Sequence, residues 1–467
     1  MKWELWGAMQ SDSKSGGDAS SALAERWNNK ALFSLIGPLI IEQILTVTMG
    51  AADTIMVSSI GEFAISGVNI IDNINNLLII AFTALATGGA VVVSQYIGRQ
   101  DRQNASLAAR QLVYISSAVS LLILGIVLPL RRFITWLFYG SIDPEIMDAA
   151  SVYFLITGIS YPFLAVYNAC AALFRAVGNS RITMYVSLLV NGMNIAGNAF
   201  FIFVLKLGVA GAAFATLLSR IAAAAVLFGL LLRKRDYPIT LAGLRTVKLV
   251  RSTLRSILTV GIPSALESSM FQIGRLLTQR IFTGFGAAAF AGNAVAGVIN
   301  AFSFMPGMAY GMALLTVVGQ CVGAGDYRGA KRYTARIMKV TYLTIFLVNF
   351  SIYIGMDPLI GLFSLSPAAH DMAKLFLKVH CVFMVIGWGM SFALPNALRA
   401  AGDARFVMIA ASVSMWTVRV SAAYFLTYVL KIGPISVWLA MGGDFLVRGA
   451  CYLIRWRGGK WQEKRVI

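Results

Sequence analysis

Asp53 stands in Gly50-Ala51-Ala52-Asp53-Thr54-Ile55-Met56-Val57, near the far end of a hydrophobic run that begins at about Ala31. A carboxyl group inside an apolar helix costs about 2.5–3.5 kcal/mol on insertion scales, so such a group is paired, protonated or used. No basic residue neighbours it in its own run. Three asparagines, Asn191, Asn194 and Asn198, interrupt a later apolar run, and Asn194 and Asn198 share one helix face at i, i+4. Thr216 opens the run after that. A carboxylate among amide and hydroxyl oxygens can hold a proton or a Na⁺ ion. The same Asn and Thr side chains also serve as ordinary interhelical hydrogen-bond glue, at about 0.6–2 kcal/mol each.

Other costly groups are scattered through the apolar runs. Glu42 follows Pro38 by four residues, and Glu267 follows Pro263 by four. Proline frees a carbonyl one turn back, so this pair reads equally as shared architecture or as a cation or proton site. Asp72 lies in the polar patch Asn69-Ile70-Ile71-Asp72-Asn73-Ile74-Asn75-Asn76, where it is expected to line a cavity. Arg220, Arg275 and Arg419 call for partners within the protein, with Arg275 also a candidate cavity residue. Asp444 and Arg448 are spaced for an ion pair along one helix.

These residues require membrane-spanning helices to position them. The chain is 58% hydrophobic and 13% charged, far from the roughly 25% charge of soluble domains. Each span needs about 20 apolar residues, and twelve runs qualify: about 31–59, 64–97, 104–130, 146–170, 182–205, 208–232, 254–283, 288–321, 329–355, 371–397, 405–430 and 433–454. The net charge of +19 concentrates in alternate loops, as cytoplasmic loops do, and so implies no nucleic acid. The positive-inside rule places both termini in the cytoplasm, in agreement with an even number of spans. By depth, at 1.5 Å per residue, Asp53 lies about 33 Å along the first run, and Thr216 roughly 12 Å below the outer end of the sixth. Asp53, Asn194, Asn198 and Thr216 therefore meet in the outer half.

A shift of 225 residues pairs Pro38 with Pro263, Glu42 with Glu267, Gly61 with Gly286, Asn75 with Asn300, Gln95 with Gln320, Gly98 with Gly323 and Asp101 with Asp326. At 224, Leu173-Phe174-Arg175-Ala176-Val177-Gly178 resembles Ala397-Leu398-Arg399-Ala400-Ala401-Gly402. The expected fold is an all-α polytopic membrane protein of twelve transmembrane helices. They form two six-helix lobes related by a pseudo-twofold axis along the membrane normal, the architecture of transporters that rock about a mid-membrane site. The expected segments are a cytoplasmic, partly disordered stretch 1–30, an N-lobe 31–232, a basic linker 233–253, a C-lobe 254–454 and a basic tail 455–467. Asp53 pairs with Thr278 in this register, so the acid has no counterpart in the second lobe.

No Gly-x-x-x-x-Gly-Lys-Ser/Thr loop suggests ATP drive, and no His-Glu-x-x-His or nucleophile elbow suggests catalysis. The four cysteines are spaced as neither a disulfide framework nor a zinc site. The first thirty residues contain no apolar signal core.

Ser34-Leu35-Ile36-Gly37-Pro38, the segment around Asp53, Ser94-Gln95-Tyr96-Ile97-Gly98, Arg175-Ala176-Val177-Gly178, Gly211-Ala212-Ala213-Phe214-Ala215-Thr216, Val318-Gly319-Gln320 and Arg399-Ala400-Ala401-Gly402-Asp403 resemble multidrug and toxic compound extrusion (MATE) transporters from about residue 30 onward. The resemblance implies export of organic, cationic or amphipathic compounds by H⁺ or Na⁺ antiport, with no other cofactor. Asp53 matches the family's first-helix acid, Asn194 its fifth-helix Asn, and Thr216 its sixth-helix Thr. Asn198 stands where the prokaryotic DinF-like branch has a second Asp. Glu267 matches the seventh-helix acid of the NorM-like branch, but the tenth-helix stretch Gly387-Trp388-Gly389-Met390 lacks the Asp that branch uses.

One carboxylate makes a weaker Na⁺ site than two and suits a proton carrier. The expected function is H⁺-coupled efflux by a plasma-membrane monomer, with Asp53 as the carrier. The alternatives are Na⁺ coupling at Asp53, Asn194, Asn198 and Thr216, or a lipid-linked precursor flippase of the same superfamily. An intramembrane enzyme is disfavoured by the missing catalytic set.

Overall fold

The computed structural model describes residues 27–140, 142–233, 237–244 and 249–467. The disorder expected at 11–21 lies outside these residues. Regular structure among the described residues is entirely helical. The first lobe contains α1 (Asn29–Ser58), α2 (Glu62–Gly98), α3 (Arg102–Tyr139), α4 (Pro144–Ile159, bent by 47° into Tyr161–Ala176), α5 (Ser180–Val204) and α6 (Gly208–Arg233). The second contains α7 (Arg251–Arg280), α8 (Gly286–Gly323), α9 (Tyr327–Ile354), α10 (Pro367–Ala400), α11 (Ala404–Val429) and α12 (Ser436–Arg457).

From Arg251 to Gly323 the chain is helical without a loop, for 73 residues. At 1.5 Å per residue that is about 110 Å, too long for one crossing of a core of about 30 Å. Both of its ends meet the same end of α2. A Cβ on Gly88 would lie 2.4 Å from the Ile257 carbonyl oxygen, and one on Gly323 would lie 1.9 Å from that of Gln95. The run therefore doubles back at a short 3₁₀ turn, Ile281–Phe285. Gly286 (φ +84°) there takes a conformation that side-chain-bearing residues avoid. Counted this way, the described residues form twelve spans.

Helix ends follow local chemistry. The Asn28 side chain accepts from the Ala31 amide at 2.9 Å and caps α1. Asp101 caps α3 through the Asn104 amide at 3.0 Å, and its repeat mate Asp326 caps α9 through Gly329 at 2.7 Å. α3 runs nine residues past the end expected at 130, because Arg131 and Arg132 find partners on α4. Arg131 donates to Ser151 at 3.1 Å, and Arg132 pairs with Asp148 at 2.9 Å.

The lobes meet most closely at the end where α1 starts and α12 finishes. Gln95 on α2 donates to the Ala400 carbonyl at 2.8 Å, and its repeat mate Gln320 on α8 donates to that of Ala176, also at 2.8 Å. A Cβ on Gly98 would stand 2.0 Å from the Gln320 carbonyl. Only glycine permits this approach. The described part of the linker packs as well: Ile239 and Leu241 are fully buried, and Arg110 donates to the Ala242 carbonyl at 3.2 Å.

Candidate functional site

α1 enters from the termini-bearing end, and its distal half carries Asp53. α5 holds Asn194 and Asn198 one turn apart and then loosens into a wider π turn from Ala199 to Val204. α6 starts at the distal end and brings Thr216 back to the same level. The Asn198 amide donates to Asp53 Oδ1 and, at 3.3 Å, to Asn194 Oδ1. Asn194 donates in turn to Thr216 Oγ1 at 3.4 Å. The four residues singled out from sequence thus form one chain of side chains across three helices. Asn194 and Asn198 are buried; Asp53 and Thr216 are half-buried and line a cleft.

That cleft holds a second carboxyl group. Asp72 on α2 lines it together with Tyr153. The Tyr153 hydroxyl donates to Asp72 Oδ1 at 3.2 Å, and the Asn75 amide approaches the same oxygen at 3.5 Å. Tyr161 fixes Asn75 from the other side at 2.6 Å. Asp72 is close enough to Asp53 for their charges to interact, and Arg220 acts on both. Asp53 is the sole acid of the α1–α5–α6 chain, and Asp72, expected to line a cavity, shares its cleft. Arg220 finds its partner within its own lobe in a hydroxyl rather than an acid. It donates to Ser160 at 2.6 Å, at the bend of α4. Tyr153 and Ser160 carry no charge and gave no sequence signal.

The two repeat-related glutamates are engaged within their own lobes. Glu42 accepts from Arg175 at 2.9 Å and from Thr183 at 2.8 Å. Glu267 accepts from Arg399 at 2.7 Å on both oxygens. Each acid meets the arginine that the 224-residue register relates to the other's partner, and each therefore has a guanidinium where a coupling cation would sit. Arg275 is exposed on α7. Arg448 pairs with Asp444 at 3.6 Å, as its spacing suggested.

The sequence profile of the MatE family matches residues 38–200 and 263–425. Its two copies are offset by 225 residues, the register of the internal repeat. The chain belongs to the MatE family. It is 28% identical over 445 residues to the uncharacterized transporter YisQ of Bacillus subtilis, with 93% of this chain and 95% of the relative covered. It is 27% identical over 449 residues to the probable multidrug resistance protein NorM of Thermotoga maritima, covering 94% of each. A solved structure described as the outward-facing conformation of a multidrug resistance MATE family transporter superposes with a TM-score of 0.87. That match is 22% identical and covers 93% of this chain and 97% of the other. Membership makes the MatE chain a multi-span transporter rather than an enzyme.

Proposed function

We propose that this MatE protein exports amphipathic organic compounds across the plasma membrane in exchange for protons, with Asp53 as the proton carrier. One observation carries the reading: Asp53 faces a cleft while its Oδ1 is held by Asn198, whose other contacts continue to Asn194 and Thr216 on α5 and α6. Oδ2 is left for a proton. A proton taken up there changes what Asp53 can accept, and that change passes to α5 and α6 through Asn198. Both termini lie in the cytoplasm, so the Gln95 and Gln320 contacts form a cytoplasmic seal and the cleft opens outward. Neutralising Asp53 from outside loosens the α1–α5 contact and lets the lobes rock towards the inward-open state. The relatives' description as multidrug resistance proteins supports the substrate class. The protein acts as a monomer.

Na⁺ coupling has one observation in its favour. Asn198 Oδ1 is buried without a hydrogen-bond partner, and with Asp53 and Thr216 it supplies the oxygen ligands a hard cation takes. Purified protein in vesicles decides between the two. Uptake of a panel including ethidium is measured under a proton gradient alone and a Na⁺ gradient alone. We expect accumulation with the proton gradient, its loss in Asp53→Asn, and no response to Na⁺. Accumulation by Asp53→Asn at the wild-type rate would rule the reading out.

A further inference from the structure

The two lobes are opposite in polarity at equivalent places. In the 225-residue register Asn194 corresponds to Arg419, and Asp53 to Thr278. Arg419 on α11 is 5% exposed and Arg448 on α12 is 2% exposed. Between them lies Asp444, fully buried, with Oδ2 4.0 Å from Arg419 and 3.6 Å from Arg448. Neither separation is a hydrogen bond, and Asp444 Oδ1 is taken by Ser414 at 2.6 Å. Two guanidiniums thus flank one carboxylate, a surplus of one positive charge. Arg275 on α7 lies one helical turn past Phe271, over whose ring Arg419 lies at 5.2 Å, and adds a third cation nearby. Glu267, the other acid felt near this cluster, is matched by Arg399.

The faces of the guanidiniums are covered and their edges are not. Arg448 lies over Phe392 at 4.4 Å, and Arg419 over Phe271 at 5.2 Å. Arg448 Nε donates to Ser391 at 2.8 Å. Nη1 of Arg419 and Nη2 of Arg448 face Asp444 Oδ2 across the 4.0 and 3.6 Å gaps, and these two atoms and Nε of Arg419 are buried without a hydrogen-bond partner. Free in-plane N–H groups on adjacent guanidiniums suit an oxyanion, which arginine binds through paired hydrogen bonds. Burying such a charge surplus without a counter-ion is costly. Arg419 lies within a π turn, Met415–Val420, and π turns often mark functional positions. The half-buried Phe271 and Phe392 are in edge contact at 5.8 Å and give an organic ligand an apolar bed beside the cations.

We infer that the second lobe contains an anion subsite, formed by Arg275, Arg419 and Arg448, for the carboxylate or sulfonate of an aromatic organic substrate. The inference rests on the reading of the chain as an exporter and adds compounds with an acidic group, zwitterions included, to the substrates it carries. Arg275, exposed on α7, is the entry-side cation.

Equilibrium dialysis of naphthalene-2-sulfonate against the protein in phosphatidylcholine nanodiscs tests this without any ion gradient. The expected result is binding at least about tenfold tighter than that of the uncharged naphthalene-2-sulfonamide, and a similar loss in Arg275→Gln and in Arg419→Gln. Arg275 is exposed, so its variant stays informative if Arg419→Gln does not fold. Arg132→Gln, at an exposed cation on α3, should bind the sulfonate like wild type, and because no gradient is imposed a loss of binding reports on the subsite and not on proton coupling. Equal binding of sulfonate and sulfonamide, or unchanged binding in Arg275→Gln, would overturn the subsite. Displacement by millimolar chloride, or by phosphatidylglycerol in the nanodisc, would overturn it in favour of an inorganic ion or a lipid headgroup.

Discussion

Removing the carboxyl of Asp53 and removing that of Glu42 should have opposite signatures. Asp53 is half-buried and its observed bond comes from one amide, which an Asn at that position can still meet. Asp53→Asn is expected to keep the wild-type melting temperature while proton-driven transport falls to background. Glu42 is buried against Arg175 and Thr183. Glu42→Gln strands the guanidinium, at a cost of about 3–5 kcal/mol, and thermal unfolding in detergent should show a lowered midpoint. Glu42→Gln/Arg175→Met should recover part of that loss, because no charge is then left alone. Asp53, Asn194, Asn198 and Thr216 were legible because polar groups in apolar runs are rare and their depth follows from counting residues. The place of Asp72 on a cavity was legible too, but its hydrogen bonds and the role of Glu42 were not, because they depend on which residues other helices bring alongside. Tyr153 is 81 residues from Asp72, and Arg175 is 133 from Glu42.

At the scale of elements, the proposed cytoplasmic seal rests on the contact of α2 with α8. It is built from Gly98 against Gln320 and Gly323 against Gln95, which leave no room for a methyl group, and is flanked by the bonds of Gln95 to Ala400 on α10 and of Gln320 to Ala176 on α4. Gly98→Val should separate the two helices there, and Gly323→Val should do the same by symmetry. A cysteine placed at Ser94 would then react faster with a membrane-impermeant maleimide added from the cytoplasmic side, since Ser94 is now fully buried. Unchanged labelling in both variants would remove α2 and α8 from the gating role. The sequence located these residues through the repeat, but it could not show that equivalent residues touch across the lobe boundary. The π turns in α10 and α11 had no sequence signal: each adds a residue to a helical turn without changing composition, and tertiary packing sets where it falls.

Across the whole molecule, one sequence repeat has been fitted to two charges. The first lobe sets Asp53 and Asp72 on one cleft, and the second sets Arg419 and Arg448 against the single carboxylate of Asp444. Twelve spans and two lobes were legible because hydropathy counts crossings and the 225-residue register needs no gap. The polarity of each lobe was not, since Arg275, Arg419 and Arg448 lie on three helices and converge only in the fold. An exchanger that loads a proton in one lobe and an acidic organic group in the other keeps its two cargoes apart while one rocking motion serves both. The central claim is that protons move through Asp53 when substrate moves. Vesicles containing the purified protein and the trapped pH dye pyranine test it directly. A gradient of ethidium or naphthalene-2-sulfonate, whichever is transported, is imposed without any initial pH difference. The account predicts a counter-directed proton flux in wild type that Na⁺ does not alter and that is absent from Asp53→Asn. A pH change of wild-type size in Asp53→Asn would contradict it.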